Sequence, residues 1–145
     1  MDWKREAIDK LRCYEAKKTS FERAGAEMRR LEDDLTRIRS ATSDSTPVVG
    51  DASAREDAIV NNIAHREELR LAMQEARRWV KIVDSGLSVL DEQERLVLDR
   101  FYIHHGKGNV DRLCAELGIE QSTVYRRRDS ALRHFTLALY GVVEN

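Results

Sequence analysis

A chain of 145 residues holds one ordinary domain, or a small domain with a long helical extension. Charged residues make up 35% and proline occurs once, a composition that excludes a strand-rich sandwich or barrel and favours long solvated helices. The net charge of −1 excludes binding of nucleic acid through bulk basicity, so any affinity for DNA must come from a local patch.

Cys13 and Cys114 lie far apart and neither has a CxxC partner, so no metal-ligand spacing and no disulfide framework is expected. The opening stretch MDWKREAIDKLRCYEAKK alternates charges and lacks the apolar centre of a signal peptide. No run approaches the roughly 18 to 20 apolar residues of a membrane span. These features predict a soluble, cytoplasmic protein with no cofactor and no contact with a membrane.

In residues 1–39, apolar side chains recur at Ala7, Leu11, Tyr14, Phe21, Met28, Leu31, Leu35 and Ile38, in steps of three, four or seven. This is the single stripe of one long amphipathic helix, with mixed charges on its solvated face. Residues 40–53, SATSDSTPVVGDAS, break the period and predict a flexible loop. Ser53 and Glu56 have capping-box spacing, which starts a second long helix over 54–86. Its stripe, Leu69, Met73, Ala76, Val80, Val83, Leu87 and Leu90, steps by four and three in the manner of a coiled coil. An antiparallel hairpin within the chain and a coiled coil between two chains both satisfy this pattern. In either case Leu69, Met73, Val80, Val83 and Leu87 are the packing residues, and a homodimer through the long helices is the expected assembly. Ser85-Gly86 is expected to end or kink the second helix.

The segment 87–145 reads differently. Asp91 and Glu94 form a second capping-box pattern, and residues 91–103 then place Leu96, Val97, Leu98, Phe101 and Tyr102 toward a core. HHGKGN is a turn, and helices follow at about 110–117 and 121–139. Nothing reads as a strand, so the fold class is all-α: a long N-terminal helical hairpin or coiled coil, then a compact helical end.

A helix-turn-helix needs a small residue where its helices touch, a turn residue tolerant of positive φ, and an apolar plug. Cys114, Gly118 and Ile119 supply these, with Leu113 and Leu117 facing the core and Val124 closing the second helix. Ala131, Leu132 and Phe135 extend the buried side. The start of the second helix is what enters the major groove in such a motif, which makes Gln121, Ser122, Tyr125 and Arg126 the candidates for reading base edges. Lys107, Arg112, Thr123, Arg128 and Arg133 are candidates for contacts to phosphate. The partner is then double-stranded DNA.

The stretch LSVLDEQERLVLDRFYIHHGKGNVDRLCAELGIEQSTVYRRRDSALRHF resembles region four of bacterial sigma factors. The match is carried by Leu87, Leu90, Glu94, Arg95, Val97, Leu98, Gly118, Val124, Ala131 and Leu132, and covers about a third of the chain. The whole chain, with its charged helical first half and closing ALYG, is similar to small phage and prophage regulators of the ArpU and RinA type. That resemblance implies activation of late-type phage genes in a bacterial cytoplasm, with RNA polymerase as a possible partner. Three positions depart from the pattern. Cys114 replaces the usual Ala, Glu120 stands at the cap where Ser is usual, and Arg127 falls on an apolar position, where it is expected to snorkel or to pair with Asp99 or Asp111.

An enzyme would have to be built from His104, His105, Cys114 and His134, which show neither metal-ligand spacing nor a nucleophile with its base. No small-molecule substrate is expected. The competing reading is a helical interaction module, docking RNA polymerase or acting as a phage assembly or packaging adaptor, with no specific DNA site. Trp3 and Trp79 read as packing anchors, and Tyr140 and Val142 as a cover on the end of the last helix.

Overall fold

The computed structural model describes residues 1–41 and 49–143. Among these residues the chain is helical almost throughout and contains no strand, as composition and periodicity predict. The elements are α1 (Trp3–Arg12), α2 (Tyr14–Ala41), α3 (Val49–Ser88), α4 (Glu92–Leu98), a π-helical segment (Asp99–Ile103), α5 (Asn109–Leu117) and α6 (Gln121–Tyr140).

The first expected helix is broken at Cys13, whose φ of −88° and ψ of −4° leave the regular helical range. No glycine or proline marks the position. The cause is tertiary: the Lys10 carbonyl, which an unbroken helix would direct at the next turn, accepts from the Trp79 indole Nε1 at 3.1 Å. Of the stretch 40–53 expected as a loop, residues 40–41 belong to α2 and 49–53 to α3. Residues 42–48 lie outside the described residues, and α3 already includes Ser53, so the Ser53–Glu56 spacing sits inside a helix and does not open one. A helix interior accepts Ser at a cost below about 1 kcal/mol, which the added backbone hydrogen bonds offset.

The described chain forms two compact units, Lys18–Arg77 and Met1–Lys17 with Arg78–Asn145. In the first, Ala24, Leu31 and Leu35 of α2 are buried, as are Asn62 and Ala76 of α3. Asn62 is the polar member of this interior. Its Nδ2 donates to the Leu31 carbonyl at 2.7 Å and its Oδ1 accepts from Arg66 Nε at 3.0 Å, so burial leaves neither end unsatisfied. The Met73 methyl lies 3.6 Å from where a Cβ on Gly25 would stand. Pairing 25 with 73 and 31 with 62 means that the two helices run antiparallel here. The outer face of α2 is a solvated ladder in which Arg30 bridges Glu27 and Asp34, and Arg37 reaches Asp34 at 2.8 Å. Such exposed pairs add only a few tenths of a kcal/mol each.

The second unit has two cores. One gathers Ala7 and Leu11 of α1, Val83 of α3, Leu98 of α4, and Ala131, Leu132 and Phe135 of α6, together with Leu90. Burying side chains of this size contributes about 1.5–3 kcal/mol each. Trp79 and Leu87 pack against it, and the Trp3 and Tyr140 rings meet with centroids 4.9 Å apart, so both tryptophans serve as anchors. Val142 does not: it is 41% exposed because Gly141, at φ 71°, has already ended α6 and turned the chain outward. Of the expected packing stripe, Val83 is fully buried in this core, Leu87 packs on it, Met73 covers Gly25, and Leu69 and Val80 are half-buried.

Gly86 does not end α3, which continues to Ser88. A Cβ at this position would lie 2.7 Å from Phe135 Cε2 and 2.8 Å from Leu139 Cδ2, so the glycine lets α6 come against the α3 backbone. The carbonyls left open at the end of α3 are met locally. Ser88 Oγ donates to the Ser85 carbonyl at 2.7 Å, and Arg95 Nη1 reaches across from α4 to the Leu87 carbonyl at 3.4 Å and to the Leu90 carbonyl, just past the helix, at 2.5 Å. Asp91 caps α4 with the full capping box: Asp91 Oδ1 accepts from the Glu94 N–H at 2.8 Å and Glu94 Oε1 accepts from the Asp91 N–H at 3.2 Å.

Two measurements test this packing. Gly86→Ala should lower unfolding free energy by about 1–2 kcal/mol in urea titrations, because overpacking Phe135 outweighs the gain in helix propensity; a more stable variant would mean the approach is loose. The Tyr14 hydroxyl donates to Asp84 at 2.6 Å, and burial, that bond, and the charges of Asp84 and Glu15 push its phenol up to about 12. An unfolded phenol titrates near about 10, so the folded state holds this proton more tightly. The contribution is complete below that pH and is lost as pH rises toward about 12. Unfolding free energy should therefore fall above pH ~10, and fall less steeply in Tyr14→Phe.

Candidate nucleic-acid interface

The α5–turn–α6 segment is built on the second core of its unit. Val97 of α4, Leu113 of α5 and Val124 of α6 are all fully buried, with Leu96, Phe101, Val110, Cys114, Leu117 and Ile119 packed around them. At Gly118 φ is 65° and ψ is 39°, the left-handed conformation in which a side chain is strained, and the N–H groups of Gly118 and Ile119 both return to the Cys114 carbonyl, at 2.9 and 3.2 Å. The turn thus closes α5 on its own last turn and sends the chain directly into α6. Leu113, Cys114, Leu117, Gly118, Ile119 and Val124 come together as their spacing predicts. Cys114 is half-buried.

A helix advances about 100° per residue, so with Val124 pointing into the core the opposite side of α6 carries Ser122, Arg126, Asp129 and Arg133. All four are exposed and stand in one line, at steps of four, three and four. Gln121, about 60° round the helix from Val124, is exposed in the first turn but off this stripe, and Thr123 and Tyr125 are half-buried on the flanks of the stripe. Lys107, in the turn before α5, and Arg112, on the outer side of α5, are exposed as well. Among the described residues, no hydrogen bond or ion pair engages the side chains of Lys107, Arg112, Gln121, Ser122, Arg126 or Arg133. Their polar ends are available to an external partner.

Two of the expected contact residues also pack against neighbours. Tyr125 leans on Phe101, ring centroids 6.0 Å apart in an edge arrangement. Arg128 points to the same place: its guanidinium lies 5.1 Å over Tyr125 and 5.2 Å over Phe101, while Nη2 reaches Asp129 at 2.9 Å. With this side chain 30% exposed, Arg128 is partly withdrawn from the surface on which the sequence places it.

Arg127 pairs with neither Asp99 nor Asp111; its Nη1 donates to Gln93 at 2.6 Å. Asp99 is taken by Nδ1 of His104 at 2.7 Å, and the same ring meets Glu15 through Nε2 at 3.2 Å. His104 thus ties the start of α2 to the π-helical segment and does not converge with His105. Among the described residues, no three His, Cys, Asp or Glu side chains are grouped to hold a metal ion. Arg100 is engaged by Glu116 at 2.8 Å, which, with the nearby Asp99, raises its pKa, and His134 pairs with Glu94.

Sequence reasoning missed Asp129 and Phe101. Asp129 sits on the exposed stripe between Arg126 and Arg133, an acceptor among donors, and its position three after Arg126 and four before Arg133 was the available signal. Phe101 supports Tyr125 from a different element, which no spacing within α6 reveals.

No family model matches the chain, and neither does any curated protein or solved structure. No described helix is long and apolar enough to cross a membrane.

Glu120 occupies the N-cap of α6 with the extended backbone of a cap, φ −77° and ψ 158°, yet its side chain makes no capping hydrogen bond. Glu120→Ser should therefore raise unfolding free energy by about 0.5–1 kcal/mol, because the shorter hydroxyl can reach an open N–H of the first turn. Urea titrations that show no gain would mean the Glu120 charge already satisfies that helix end.

Proposed function

We propose that this chain is a sequence-specific DNA-binding transcriptional regulator, a helix-turn-helix protein that places the first turns of α6 in the major groove. The observation that carries this reading is the exposed line Ser122, Arg126, Asp129 and Arg133 on a helix fixed from behind by Val97, Leu113 and Val124. Arg126 supplies a planar fork suited to guanine, and Gln121 an amide suited to adenine; Ser122 and the Tyr125 hydroxyl add shorter-range contacts. Lys107, Arg112, Thr123 and Arg133 surround this group and are suited to hold the two phosphate backbones.

The resemblance of residues 87–135 to sigma region four supports the same reading, and the likeness to ArpU- and RinA-type regulators supports activation of phage late-type genes, with RNA polymerase as a further partner. One such module covers little DNA. Two copies on two half-sites would raise affinity, so a homodimer belongs to this proposal. The proposed homodimer pairs through the long helices, with Val83 and Leu87 of the expected stripe engaged within this chain. The proposed activity is binding without catalysis, in the cytoplasm of a bacterial host.

The test is a binding selection on fragments of the source genome at near-physiological salt, where non-specific phosphate binding fades. The wild type should enrich a discrete site. Arg126→Ala should bind it about tenfold or more less tightly and with relaxed sequence preference, since a bidentate base contact carries about 1–3 kcal/mol. Enrichment by neither protein would overturn the proposal in favour of an adaptor that docks another protein.

A further inference from the structure

Three consecutive arginines, Arg126, Arg127 and Arg128, look alike in the sequence, and the structure gives them different surroundings. Arg126 is exposed on the outward stripe. Arg127 is drawn to Gln93. Arg128 is only about 40° round the helix from the buried Val124, so its stem runs along the core-facing side of α6. Its guanidinium lies over two aromatic rings at once, Tyr125 on its own helix and Phe101 on the π-helical segment, and bonds Asp129 through both Nε and Nη2, at 3.1 and 2.9 Å.

We infer that Arg128 is a positioning residue for the reading face of α6 and makes no phosphate contact: it clamps Tyr125 against Phe101 and fixes the Asp129 carboxylate on the exposed stripe. A tyrosine on a helix flank has more than one rotamer open to it, and its hydroxyl sweeps several ångströms between them. A planar cation over one side of the ring, with Phe101 at its edge, leaves one of these. Asp129 would otherwise turn freely between two arginines of the stripe. Held by two donors on Arg128, its oxygens keep one orientation, as an acceptor aimed at a base amino group must. The guanidinium does both tasks because it is flat and forked. An ammonium has the charge without either property.

This inference rests on the reading of α6 as the DNA-contacting helix, and the experiment separates the two. Wild type, Arg128→Lys, Arg128→Gln and Phe101→Leu are compared on the selected site and on a scrambled duplex across a salt series, and the Tyr125 ring resonances of each free protein are followed by NMR. The expected result is a shift of the Tyr125 resonances in all three variants. Preference for the selected site over the scrambled one should fall about tenfold in all three, including the Lys variant that keeps the charge. The slope of log affinity against log salt should stay at the wild-type value. Phe101→Leu removes the lower ring without touching any charge; Phe101 also packs on the Val97, Leu113 and Val124 core, so its loss of preference is read together with that of Arg128→Lys, which leaves this core intact.

Restoration of preference by Lys, or a slope lower by about one in Arg128→Gln, would show a phosphate contact and overturn the inference while leaving the DNA reading intact. Wild-type protein that prefers no duplex would overturn both.

Discussion

The absence of a side chain at Gly86 is the constraint on which the C-terminal unit depends. Phe135 and Leu139 lie where a Cβ would be, so the end of α3 and the second half of α6 approach more closely than two ordinary helices can. That approach brings Val83 and Leu90 onto the same core as Leu132 and Phe135, and leaves room on the other side for Ala7 and Leu11 of α1. At the end of α3, Ser88 Oγ donates to the Ser85 carbonyl and Arg95 Nη1 reaches the Leu87 carbonyl at 3.4 Å, so two of its last carbonyls are met by side chains of the protein.

Anchoring the C-terminal half of α6 leaves its N-terminal half to be supported separately. The small core of Val97, Leu113 and Val124 provides that support, and the segment from α4 into the π-helical turn belongs to both cores. Leu98, Tyr102 and Ile103 face one core, and Leu96, Val97 and Phe101 the other. A regular α-helix would spread six apolar residues in eight positions around most of its circumference. The wider turn, marked by the His104 N–H returning to the Asp99 carbonyl at 2.7 Å, lets the chain serve both sides before it ends, and Asn109 Nδ2 takes up the Arg100 carbonyl at 2.5 Å.

Much of this was legible in the sequence because it is local. The Asp91–Glu94 box, the turn at Gly118 and the inward set around Val124 follow from rules that span four to seven residues. What could not be read depends on partners distant in the chain. The break at Cys13 comes from an indole that bonds Lys10 from 69 positions away, the continuation of α3 through Gly86 from a ring 49 positions away, and the partner of Arg127 from an element 34 positions away. The two long stripes were visible as stripes. Their periodicity alone did not distinguish a partner within the chain from one outside it, and contacts such as Asn62 to Leu31 had to be seen. On the candidate face, exposed and buried positions follow from spacing, while the half-burial of Arg128 over two aromatic rings does not, since Arg128 offers the same letter as Arg126.

The exposed line on α6 touches neither core, and this separation bears on how the protein can diverge. Ser122, Arg126 and Arg133 are exposed and belong to neither core, so on the proposed reading each is an independent coordinate along which lineages acquire a new target. Tyr125, Phe101, Arg128 and Asp129 form a linked group, in which a change at one member alters the setting of the others. Drift should therefore be gradual at the first three positions and concerted at the last four, two tempos of change within one small module.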